Sequence, residues 1–130
     1  MKKEIYLLLT LLLFVGCTPS ELQVKKIKNA DYGNYPKDYE SLVKKHYEYV
    51  LFDPESVRYK SITKPKKAYL KDAPISGGNP KLFGYFVNVC MNAKNRMGGY
   101  TGNKCENLFI RDSMVKPIVP NTWHNEEWYK

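Results

Sequence analysis

Residues 82–93 read LFGYFVNVCMNA, and their alternation decides the fold. Phe83, Tyr85, Val87, Val89, Met91 and Ala93 fall on one side, and Gly84, Asn88, Cys90 and Asn92 on the other. That period of two is the signature of a strand. Leu82 and Phe86 make the second face partly apolar as well. Residues 105–111 form the next strand, with Leu108 and Ile110 on one face. Between them, Asn95 to Asn103 is rich in turn-forming residues. A hairpin centred between Met97 and Gly98 sets Cys90 opposite Cys105 and Val87 opposite Leu108. It also sets Tyr85 opposite Ile110 and Phe86 opposite Phe109, so apolar meets apolar on both faces.

Upstream, residues 36–51 carry a helical period. Tyr39, Leu42, Val43, His46, Tyr47, Val50 and Leu51 lie on one apolar face. Pro36 suits a first turn, where its missing N–H leaves no bond unmade. Asp53-Pro54 stops the helix, because the residue before proline avoids the α region. Weaker strands are expected near Val57–Ile62, Ala68–Leu70 and Met114–Val119. The economical fold class is α+β: one main amphipathic helix packed on a three- to four-stranded antiparallel sheet.

The chain has 130 residues, about one domain's worth, which excludes a multidomain enzyme. Lys2 and Lys3 precede an apolar run from Ile5 to Val15 broken only by Tyr6 and Thr10. A basic start, a short apolar stretch and a small-residue exit describe a secretory signal peptide over residues 1–16. Phe14-Val15-Gly16-Cys17 resembles the lipobox of bacterial lipoproteins, with Phe14 where that family usually has Leu. The resemblance implies that Cys17 becomes the mature N-terminus and carries acyl chains such as palmitate. Two or more chains attach a protein stably, whereas one is marginal. Thr18, rather than Asp, follows the cysteine. By the same resemblance this implies the inner leaflet of the outer membrane, facing the periplasm. Residues 17–34 are then the lipidated cysteine and a polar tether, and residues 35–130 a small periplasmic domain.

Export places Cys90 and Cys105 in an oxidising compartment, where an opposed pair forms a disulfide. The competing reading, a catalytic cysteine with His46 as its base, conflicts with His46 lying on an apolar helix face. His124, beside Glu126 and Glu127, lacks metal-ligand spacing. No catalytic residue, metal or cofactor is expected.

The least ordinary segment is Asn92-Ala93-Lys94-Asn95-Arg96-Met97-Gly98-Gly99-Tyr100-Thr101-Gly102. It resembles a motif of small proteobacterial lipoproteins, Asn-Ala-Lys-Asn, two variable residues, then Gly-Gly-Tyr-Thr-Gly. The likeness reaches back through Tyr35-Pro36 and Asp53-Pro54-Glu55-Ser56. It implies a shared domain and carries over no mechanism. Two physical readings stand. Asn92, Lys94, Asn95, Gly98, Gly99, Tyr100 and Thr101 are candidate ligand contacts on a loop held by rigid strands. Alternatively, the loop is a wide turn whose side chains satisfy its own backbone.

The net charge is +8, of which six units sit in residues 58–71 as Arg58, Lys60, Lys64, Lys66, Lys67 and Lys71 with no acid among them. These are candidate contacts to an anionic surface, at about 1 kcal/mol per basic residue near a membrane. They also serve to guard an edge strand. Trp123, Trp128 and Tyr129 form an aromatic tail that either closes the core or lies exposed. The expected function is a membrane-anchored, non-catalytic binding or scaffolding module of the envelope. The expected partners are the membrane through the lipid anchor, an envelope protein, and anionic lipid or glycan, with nucleic acid disfavoured. The alternatives are an accessory subunit of a secretion, conjugation or DNA-uptake apparatus, and an enzyme acting on the cell wall.

Overall fold

The computed structural model describes residues 21–72 and 79–118, together with the backbone of 123–125. Among them are α1 (Glu21–Lys28), α2 (Tyr39–Val50), β1 (Arg58–Ile62), β2 (Lys66–Lys71), β3 (Pro80–Asn92), β4 (Lys104–Arg111), β5 (Met114–Pro117) and β6 (Trp123–Asn125). A 3₁₀ turn at Pro54–Ser56 links α2 to β1. The class is α+β, as the alternation of residues 82–93 implies.

β3 is the axis of the sheet. Its N-terminal half pairs with β2 and its C-terminal half with β1, both along one side. β4 lies along the other side, in the strand order β5-β4-β3-β2-β6. Thr63, between β1 and β2, stays tied to the axis: its N–H donates to the Asn88 carbonyl at 3.0 Å. Its Oγ1 accepts from the Asn88 N–H at 2.8 Å.

The hairpin register is the expected one. Tyr85 pairs with Ile110, Phe86 with Phe109, Val87 with Leu108 and Cys90 with Cys105, and the two cysteines are bonded. The β4–β5 turn is closed by Asp112 and Ser113 at φ 47° and 67°, the left-handed pair that a tight hairpin requires. One face carries the core: Val43 and Tyr47 of α2 pack on Val87, Val89, Met91, Leu108 and Ile110. Each fully buried aliphatic side chain contributes roughly 1.5–3 kcal/mol. On the other face, Phe109 is fully buried over Gly84, where a Cβ would stand 2.5 Å from Phe109 Cζ. The glycine on the second face of β3 is therefore the seat of a ring.

Several elements differ from expectation. α2 starts at Tyr39 rather than Pro36 and ends at Val50, which is 57% exposed. Its apolar face thus outruns what the sheet covers. Asp53 does more than stop the helix: its side chain caps the 3₁₀ turn by accepting from the Ser56 N–H. Among the described residues the sheet has six strands. β6, three residues from the aromatic tail, is too short to show alternation, and it pairs Trp123 with Leu70. Trp128 and Tyr129 lie outside the described residues.

The largest correction concerns the tether. From Glu21 onward it is folded onto the sheet. Ile27 and Tyr32 are buried, and the Tyr32 hydroxyl donates to the Ile27 carbonyl at 3.0 Å. The Tyr32 ring meets Phe83 edge-on at 5.4 Å. Arg111 fastens the segment, donating through Nη1 to the Asp31 carbonyl at 2.6 Å and the Phe83 carbonyl at 2.8 Å. Its Nη2 pairs with Asp31 Oδ2 at 2.9 Å. α1 buries a single residue, Ile27, so no apolar period betrays it.

Candidate functional site

The loop joining β3 to β4 is closed by its own hydrogen bonds. Lys94 bridges Tyr100, the Asn95 N–H donates to the Gly99 carbonyl at 2.9 Å, and the Gly98 N–H to the Asn95 carbonyl at 3.0 Å. Asn95 Oδ1 accepts from the Met97 and Gly99 N–H groups at 3.0 and 3.1 Å. Asn95, a candidate ligand contact, therefore directs its carboxamide oxygen at the turn. Gly98 takes φ 79°, which a side chain rarely permits. The tip centres on Met97 rather than between Met97 and Gly98. Between the Met91–Lys104 and Lys94–Tyr100 pairs the return strand holds one residue more, and Gly102 at φ 92° lies in that stretch.

The loop is also docked. Ser56 Oγ donates to the Asp53 carbonyl at 2.7 Å and accepts from the Lys94 N–H at 3.0 Å. The Tyr100 hydroxyl donates to the Ser56 carbonyl at 3.0 Å. The Arg58 guanidinium lies 4.3 Å from the Tyr100 ring centroid and the Lys94 ammonium 5.8 Å. Asp53-Pro54-Glu55-Ser56 and the glycine loop, far apart in sequence, thus form one rigid corner.

Beside the corner is an open cleft of about 170 Å³. Leu51, Met91 and Ala93 supply its apolar wall; Lys94, Asn95, Thr101 and Lys104 supply the polar one. Lys94, Asn95 and Thr101 are among the expected contacts, whereas Leu51, Lys104 and Ser56 are not. Only Ser56 had a signal, as the end of the quoted Asp-Pro-Glu-Ser. Asn92 Oδ1 is buried without a hydrogen-bond partner among the described residues.

The basic stretch is divided by strand alternation. Lys66 stands opposite Phe86 and Lys67 opposite Tyr85, so these neighbours point to different faces. The Lys67 ammonium lies 4.9 Å from the Tyr32 ring centroid, on the side of the helices. Lys60 sits in the register shift between Tyr59 and Ser61. Lys60 and Lys64 are exposed, and Lys71 is partly buried beside Asp72.

Because Cys90 and Cys105 are bonded to each other, neither offers the thiol that a Cys–His pair needs. His46 stacks edge-on against Tyr47 at 5.3 Å. Tyr47 donates to Glu106 Oε1 at 2.5 Å. Burial first, and then this bond, push its phenol well above the ordinary tyrosine range. Among the described residues, no group of three or more His, Cys, Asp or Glu is placed to hold a metal. Among the same residues no helix is long and apolar enough to cross a membrane. Cys17 and the expected signal peptide over residues 1–16 lie outside the described residues. No protein-family model, curated protein or solved structure matches the chain.

Proposed function

We propose that the protein is a lipid-anchored envelope lipoprotein that works as a non-catalytic binding or scaffolding module. The anchor reading rests on Phe14-Val15-Gly16-Cys17 and on the Lys2-Lys3 and apolar run before it. With Thr18 after the cysteine, the proposed site is the inner leaflet of the outer membrane. The binding reading rests on one observation: Tyr100, Lys94 and Ser56 lock an exposed loop onto a corner of the sheet. A loop fixed before it meets a partner loses little conformational freedom on binding. The lysines of β2 lie towards the α1 end of the sheet, where attraction to anionic headgroups would reinforce the anchor.

The test of the anchor is Cys17→Ser, which should move the protein from the membrane pellet to the soluble fraction. Unchanged sedimentation would refute it. An accessory role in a secretion, conjugation or DNA-uptake apparatus is the second reading, favoured by the loop corner lying at the end of β3 away from α1. Stoichiometric co-purification with channel subunits separates it from a free-standing scaffold.

A further inference from the structure

We infer that the cleft between Leu51 and the 93–104 loop docks a protein segment bearing one apolar side chain flanked by carboxylates. The inference deepens the binding reading above by giving its partner a chemistry.

Size excludes most ligands. Small-molecule sites occupy roughly 300–1,000 Å³. The cleft, at about 170 Å³, takes a single aliphatic or small aromatic side chain. One anchor residue in a small pocket is how protein interfaces concentrate their binding energy. Charge then narrows the occupant. Among the described residues, Lys94 and Lys104 line the cleft and no carboxylate does. Arg58 on the Tyr100 ring and the exposed Arg96 extend the positive rim. Phe52 and Met97, 69% and 93% exposed, supply further apolar surface on the two flanking segments.

Position argues for a protein rather than the anchoring membrane. β3 runs from Pro80 to Asn92, about 40 Å at the usual rise per residue. α1 is held at the Pro80 end, where Gln23 Nε2 lies 3.5 Å from Asn79 Oδ1. Cys17 precedes Glu21 by four positions, a reach of about 14 Å at most. A lipid on Cys17 would therefore attach towards the Pro80 end of β3, and the cleft lies at the other end.

The experiment uses the full-length acylated protein in phosphatidylcholine nanodiscs. The probe is a fluorescein-labelled peptide, Glu-Glu-Leu-Glu-Glu, read by anisotropy beside its counterpart Gln-Gln-Leu-Gln-Gln. The acidic peptide should bind at least ten-fold more tightly than the neutral one. Lys94→Glu with Lys104→Glu should weaken it at least ten-fold. Lys37→Glu with Lys45→Glu, the same charge change on or beside α2, should leave it within two-fold. No binding, equal binding of both peptides, or equal loss in both double variants would overturn the inference. Preferential flotation of the nanodiscs with phosphatidylglycerol vesicles, abolished by the Lys94 and Lys104 changes, would overturn it in favour of a membrane surface. The anchor stands or falls separately, on release of the Cys17→Ser variant, since peptide binding does not require the lipid.

Discussion

The Tyr100 hydroxyl donates to the Ser56 carbonyl at 3.0 Å, joining positions 44 apart in sequence. With the Lys94 N–H on Ser56 Oγ, it converts a glycine-rich turn into part of the sheet's corner. Tyr100→Phe removes one solvent-accessible hydrogen bond, worth about 0.5–1.5 kcal/mol. We expect a small fall in global stability and a larger rise in amide exchange across residues 95–100. Exchange rates unchanged at Met97 and Gly99 would show that the turn's own bonds hold the loop without the corner.

The Cys90–Cys105 bridge closes a separation of 15 residues. In the chain-entropy view a loop of that size contributes about 3 kcal/mol. Replacing both cysteines by Ala should lower the melting temperature by on the order of 10 °C in a domain of this size. Alkylation of the denatured, unreduced protein should label neither residue. Labelling of both would mean that the bridge is absent from the folded protein.

What the sequence disclosed and what it hid divide along one physical line. The register of β3 on β4 is legible because alternation and a cysteine pair both depend on positions within one hairpin. α1 is illegible because Ile27 alone is buried and its fastening residue, Arg111, is 80 positions from Asp31. The loop reads as a turn from its Asn and Gly residues. Its attachment to Ser56 leaves no periodic trace, since one hydroxyl and one carbonyl carry it. Counting charge finds the cluster at residues 58–71, yet the period of two separates Lys66 from Lys67.

Gly84 tests the second face of the sheet. A Cβ there would stand 2.5 Å from Phe109 Cζ and 2.7 Å from the Ile110 carbonyl oxygen. Gly84→Ala should therefore destabilise by about 1–3 kcal/mol, as overpacking does. Adding Phe109→Leu should recover part of the loss by freeing the ring's seat. Additive destabilisation in the double variant would place the strain elsewhere.

Tyr47 sets the alkaline limit. Its folded phenol holds its proton more tightly than the unfolded one, because burial and Glu106 disfavour the phenolate. Its contribution is complete below about pH 10, the unfolded value, and is lost as the pH rises from there towards the folded one. Tyr59 and Tyr85, also raised by burial, act in the same direction. Tyr47→Phe should lower the urea midpoint at pH 7, yet lose less between pH 9 and 11 than the parent, on the order of the tyrosine range. Parallel curves over that interval would remove Tyr47 from the alkaline transition.

Arg111 decides whether residues 21–33 belong to the domain or to the tether. Its guanidinium reaches two carbonyl oxygens and two carboxylates, a fork that one ammonium cannot reproduce. The Gly33 N–H and then Arg111 hold the Asp31 carboxyl below its usual range, which favours the ionised clamp. Arg111→Lys should loosen α1 nearly as much as Arg111→Ala, and trypsin should then cut faster at Lys25, Lys26 and Lys28. Cleavage of the Ala variant at the parent rate would mean that Ile27 and Tyr32 hold the segment by packing alone.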